Sequence, residues 1–253
     1  MEVVQLPPNV SKVPKNFRCL LIGASEAGKS TWIGSLIRNK ATVFQSPGYR
    51  KFIYCSPNFG ESSLISSRDL EYQKCLREWA EPSEIIFLDH IVTEEELFEE
   101  AEAANGRILL IVDDFSQELF STNLAYKLFT RLSSHGTGID SLVSIHQRMG
   151  SKSSSKWYSL MFDNSNFFVI FPNIANRSAT GELSKKIFPY GKNFIQRCLN
   201  EAINICGSYA HVFVDADLRN PLNNKFGVRS NFFEENGLPM LMMKSPSVYY
   251  GVH

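Results

Sequence analysis

The octapeptide GASEAGKS, residues 23–30, constrains this chain more than any other stretch. FRCLLIG (17–23) precedes it, an apolar run too short for a helix that ends in glycine, as a buried strand does. KSTWIGSLIRN follows it, with Trp32, Leu36 and Ile37 on one helical face. An accidental run of small residues would need neither neighbour. Between a strand and a helix, small residues let successive backbone N–H groups converge on an anion, and the positive end of the helix adds to that field. Gly23, Ala24, Ser25, Glu26, Ala27, Gly28, Lys29, Ser30 and Thr31 are therefore the candidate nucleotide cradle. In that arrangement Lys29 reaches the β- and γ-phosphates of ATP, the Ser30 hydroxyl is a Mg²⁺ ligand, and Thr31 lies near the α-phosphate.

The rest of the chain alternates in the same way. Short apolar runs at 51–56, 84–90, 107–115, 141–147, 167–171, 211–217 and 226–233 predict strands. Helices are expected over SRDLEYQKCLREWA, over 93–105 with a Thr93/Glu96 capping box, around 117–134, near 176–188 and over 192–206. In the 117–134 segment Phe120, Leu124, Leu128 and Leu132 recur at steps of four. This order predicts an α/β fold of the P-loop NTPase kind, with a mostly parallel central sheet and helices on both faces. Residues 1–16, punctuated by Pro7, Pro8 and Pro14, are expected as an extended arm, and 17–253 as a single ATPase domain ending in strands and a tail.

Composition limits the partners. Lys plus Arg and Asp plus Glu are both 26, so any nucleic-acid contact must come from a local patch or from charge concentrated by oligomerisation. Five scattered cysteines without a C-x-x-C pair predict reduced thiols and no zinc site. No leader or membrane anchor is evident, and a soluble intracellular protein is expected.

Hydrolysis needs more than a cradle. The strand ILLIVDD would deliver Asp113 to the Mg²⁺ shell at its C-terminal end, with Asp114 next to it to polarise a water. A pair of solvated acids closing a strand is the plainer alternative for Asp114. Gln147, ending the SIHQ segment, is a γ-phosphate sensor or a simple strand-end hydrogen bonder. His146 is expected to be structural, and His135 with its following glycines closes a helix. Charge on a transferring phosphoryl group calls for arginine. Arg131 is favoured over Arg148 as a finger offered to a neighbouring subunit, against the plainer reading of a surface ion pair.

GASEAGKS, a strand ending IVDDF, LFTRLSSHGTGIDSLVSIHQ and a strand ending in Gln occur in an order that resembles the FtsK–HerA branch of P-loop motors. Within that branch it looks like the genome-packaging ATPases of double-stranded DNA viruses of the poxvirus, virophage and polinton-like kind. The tail HVFVDADLRNPLNNKFGVRSNFF, with Asp215 ahead of an arginine-containing strand, is similar too. The resemblance implies that Lys29 and Ser30 bind phosphate and Mg²⁺, Asp113 supports the metal, Asp114 activates water and Gln147 senses the γ-phosphate. It also implies a homo-oligomeric ring, hexamer or pentamer, that drives double-stranded DNA into a capsid, a capsid vertex protein as partner, and a place in the host cell during virion assembly. The chain departs from relatives in His146 and Arg148 around Gln147, and in the polar RMGSKSSSK that follows.

That polar loop, 150–156, is the candidate DNA contact. Lys152 and Lys156 among serines can follow a backbone without reading bases, although an exposed linker has the same composition. A second basic stretch holds Lys185, Lys186, Lys192 and Arg197. Two other classes remain open: a small P-loop kinase, which would need an acceptor pocket and an arginine-bearing lid, and a nucleotide-binding assembly factor that does not turn over.

Overall fold

The short apolar runs become strands and lie side by side. In the computed structural model they are β1 (Glu2–Gln5), β2 (Arg18–Ile22), β3 (Tyr49–Cys55), β4 (Ile85–Leu88), β5 (Arg107–Val112), β6 (Ile139–Ile145), β7 (Phe167–Ile170), β8 (Val212–Asp215), β9 (Gly227–Ser230) and β10 (Leu241–Lys244). They form one ten-stranded sheet in the order β1–β10–β9–β8–β7–β2–β6–β5–β3–β4. The structure describes residues 2–5, 13, 16–45, 48–59, 66–80, 84–132, 137–145, 155–172, 181, 184–185, 193–207, 210–216, 227–233 and 241–244.

The block from β7 to β4 is parallel throughout. Beyond β7 the pairings with β8, β9, β10 and β1 are all antiparallel. The parallel strands need cover on both faces, which is why β6 is buried at every position. Alternate side chains divide between two cores. Leu20, Ile53, Leu110 and Val143 face one side, and Cys19, Phe52, Leu109 and Leu142 the other.

Helices α1 (Lys29–Arg38), α2 (Lys40–Val43) and α3 (Ser67–Trp79) cover one face, through Trp32, Leu36, Val43 and Leu76. On the opposite face lie α4 (Glu94–Ala104), α5 (Ser116–Phe120), α6 (Asn123–Lys127), α7 (Ser155–Asn164) and α8 (Phe194–Cys206). Thr93 and Glu96 close the expected capping box at the start of α4. Among the described residues no helix is long and apolar enough to cross a membrane.

Two expected segments differ. The helix anticipated over 117–134 is broken. Ser121 and Thr122 turn their hydroxyls back onto the carbonyls of Glu118 and Leu119, ending α5, and α6 passes into a π-helical turn over Leu128–Leu132. The apolar stripe survives the break, because Phe120, Leu124, Leu128 and Leu132 are all buried. The polar loop expected over 150–156 ends early, since Ser155 and Lys156 already belong to α7. Met161 and Phe162 bury that helix, and Phe162 packs on Phe168 with ring centroids 5.1 Å apart. The expected helix near 176–188 lies largely outside the described residues.

Candidate nucleotide site

The C-terminal ends of the parallel strands share one edge of the sheet, where open α/β folds bind ligands. β2 arrives there at Ile22, paired on one side with Ile145 of β6 and on the other with Ile170 of β7. The chain then turns through residues 23–28 before α1 begins. Glu26 takes φ 61° and Gly28 φ 96°, both left-handed, and these curl the loop so that Trp32 N–H can bond Gly28 O at 2.9 Å in the first helical turn. Gly23 is needed for packing, because a Cβ there would stand 3.0 Å from Phe171 Cβ. This strand, curled loop and helix N-terminus have the arrangement expected of a phosphate-binding loop.

Lys29 folds back over the loop, its ammonium donating to Ala24 O at 2.8 Å and Gly23 O at 3.2 Å. Burial pulls its pKa below the ordinary lysine value, and the carboxylates of Asp113 and Asp114 pull it back up. A cation already stripped of most of its water and facing two acids is held ready for a more strongly anionic group.

Asp113 is the hub. It leaves the end of β5 with its N–H bonded to Cys55 O at 2.9 Å, and it is almost wholly buried. Its Oδ2 accepts from Ser30 Oγ at 2.9 Å and from Tyr54 OH at 3.0 Å, and its Oδ1 accepts from Ser144 Oγ. Ser30 and Asp113 are thus brought together from positions 83 residues apart. Both offer hard oxygen donors beside the loop, a set that suits Mg²⁺, which takes one or two protein ligands and completes its shell with phosphate and water. Among the described residues no cluster of three or more His, Cys, Asp or Glu side chains competes for a metal.

Asp114 follows with φ 62°, a left-handed turn that aspartate tolerates better than most residues. Its side chain is exposed, and its N–H donates to Ser144 Oγ at 3.3 Å. Thr31 is also exposed on the first turn of α1. Gln147, His146, Arg148 and Lys152 lie outside the described residues, as does the side chain of Lys156. Arg131 is exposed in the π-helical turn. That turn is tied to the far edge of the sheet, where Arg18 at the start of β2 donates to Phe129 O at 3.2 Å and Thr137, ahead of β6, donates to Leu132 O. Arg131 therefore sits on an element anchored at the strand ends opposite those that carry the phosphate loop. Burial pushes the Cys55 and Cys198 thiols up to about 12, which disfavours the thiolate.

Three residues escaped the sequence reading. Tyr54 and Ser144 hold Asp113 from the neighbouring strands, and Tyr72 of α3 donates to Ser30 O at 2.5 Å. Nothing in their local sequence marks them, since Ser144 shares β6 with Asp140 and Ser141.

No family model and no curated protein matches this sequence. Among solved structures the chain is similar to one described as an ATPase, at 12% identity and TM-score 0.40, over 62% of this chain and 66% of that one. It is also similar to ATPases 2 and 3 of EssC from Geobacillus thermodenitrificans, at 11% identity and TM-score 0.37, over 66% of this chain and 40% of that one.

Proposed function

We propose that this chain hydrolyses ATP with Mg²⁺ and spends the energy moving double-stranded DNA, as the motor that packages a viral genome into a preformed capsid. The observation that carries the hydrolysis is the Ser30–Asp113 hydrogen bond, which joins the phosphate loop to the end of β5. The order β2–β6–β5 adds to it. β6 ends at Ile145, between the strands that lead to Lys29 and to Asp113. Gln147 lies two residues on and is the proposed sensor.

In this reading the loop N–H groups and Lys29 hold the triphosphate. Ser30 and Asp113 would hold the metal, which when bound neutralises charge on the phosphates. Asp114, exposed beside them, orients a water and takes its proton. Arg131 acts on a neighbouring copy in a hexameric or pentameric ring, and Lys152 and Lys156 contact the DNA backbone. The DNA, the ring and a capsid vertex partner rest on the order of motifs, from GASEAGKS through IVDDF to SIHQ.

The test is steady-state ATP hydrolysis with and without double-stranded DNA, beside Lys29→Ala and Asp114→Asn. DNA-stimulated turnover that both substitutions abolish is the expected result. Turnover indifferent to DNA would remove the translocase. Lys152→Glu with Lys156→Glu should weaken DNA binding and flatten its salt dependence, because two phosphate contacts are reversed.

A further inference from the structure

The phosphate chain of a bound nucleotide has a direction in this site, and the fold supplies it. Asp113 stands on the β6–β5 side of the loop, so the γ-phosphate end points that way. The α-phosphate, ribose and base must then leave toward the other side, across the first turn of α1 and over β7, β8 and β9.

That side carries a cluster of rings built on Trp32, Phe171, His211, Phe232 and Phe233. Phe171, directly after β7, lies under the loop, 3.8 Å from where a Cβ on Gly28 would stand. His211, just ahead of β8, accepts a hydrogen bond from Trp32 Nε1 at 3.0 Å and lies 5.7 Å from Phe171 between ring centroids. β9 runs parallel to β7, through two antiparallel pairings, so its end comes up at the same edge. There Asn231 takes φ 53° and separates two neighbouring rings by depth. Phe232 turns in, 4.4 Å from Phe213 and stacked on it. Phe233 stays half-buried, 5.3 Å from Trp32 and 5.2 Å from Phe232.

Phe232 fills the place against Phe213, while Phe233, the nearer of the two to Trp32, caps the cluster and keeps part of its surface open. We propose that Phe233, backed by Trp32 and Phe232, is the platform on which the base of the bound nucleotide stacks. The inference rests on the phosphate loop binding a nucleotide and extends it to the part of the ligand the loop does not touch. A flat, partly wet ring held by buried rings loses little freedom when a base settles on it, and it accepts any base through its π face.

Calorimetric titration of the full chain with Mg²⁺ and either ATP or inorganic triphosphate separates the two halves of the site. Phe233→Ala and Phe233→Leu should each weaken ATP about tenfold, the scale of one base–aromatic stack. Both should leave triphosphate affinity unchanged. Phe233→Trp should restore ATP binding, which a merely structural role for the ring would not demand. Unchanged ATP affinity in Phe233→Ala, or equal loss of ATP and triphosphate in Phe233→Leu, would overturn the platform while leaving the phosphate loop intact. A wild-type chain that binds neither ligand would overturn the phosphate-loop reading and the platform with it.

Discussion

Gly28 holds a left-handed φ of 96° with only ordinary contact available to a Cβ, 3.8 Å from Phe171. The penalty for Gly28→Ala is therefore conformational, about 1–2 kcal/mol, and should appear as a lower urea midpoint with an unchanged slope. Ser144→Ala acts differently. It takes a donor from the buried Asp113 carboxylate and an acceptor from Asp114 N–H, so a loss of about 1–3 kcal/mol is expected. Turnover should fall with it, which parallel denaturation and hydrolysis assays would show. At this scale the sequence disclosed residues that declare themselves locally. GASEAGKS has a spacing set by the loop's own geometry, and Asp113 closes an apolar run. Tyr54, Tyr72 and Ser144 were hidden because their meeting with Asp113 and Ser30 depends on strand order and helix approach, which no local pattern records.

Helix α4 is fastened by its first turn. Thr93 Oγ1 accepts from Glu96 N–H at 3.2 Å while Thr93 N–H donates to the Glu96 carboxylate at 2.7 Å. Thr93→Ala should cost about 1 kcal/mol in thermal or chemical denaturation. The hydrogen bond from the Thr93 backbone lowers the Glu96 pKa, and the Thr93 hydroxyl adds to it. A depressed carboxyl contributes stability that is present above its unfolded value and is lost as pH falls through the folded one. The intact box should keep that contribution to lower pH than Thr93→Ala does, as a pH series of melting curves would show. The box was legible because both partners lie within one turn. The stripe from Phe120 to Leu132 was legible as apolar spacing, but its break was not, since helical spacing persists across a bend made by two hydroxyls. Helix α7 was obscured by the serines ahead of it, although Tyr158, Met161 and Phe162 carry helical spacing.

The whole sheet has a parallel block that carries the loop and an antiparallel block that carries the aromatic cluster. The parallel part followed from the alternation of strands and helices, whereas the reversal after β7 had no local mark, because α8 can return the chain in either sense. β1 pairs along β10 through Glu2–Lys244 to Gln5–Leu241. Deleting residues 2–5 would bare the N–H and C=O groups of β10 that β1 satisfies, and light scattering on heating should rise earlier than for the intact chain. Within the parallel block β6 is gripped at both ends. Ser144 bonds Asp113 at one end, and at the other Asp140 accepts from Tyr49 OH at 2.7 Å and from Arg107, which also reaches Tyr49 at 3.2 Å. These bonds clamp β3, β5 and β6 into a bed plate whose strands cannot slide past one another. A load applied at the upper rim of the plate has no give beneath it, so movement at that rim falls to the connections that leave it.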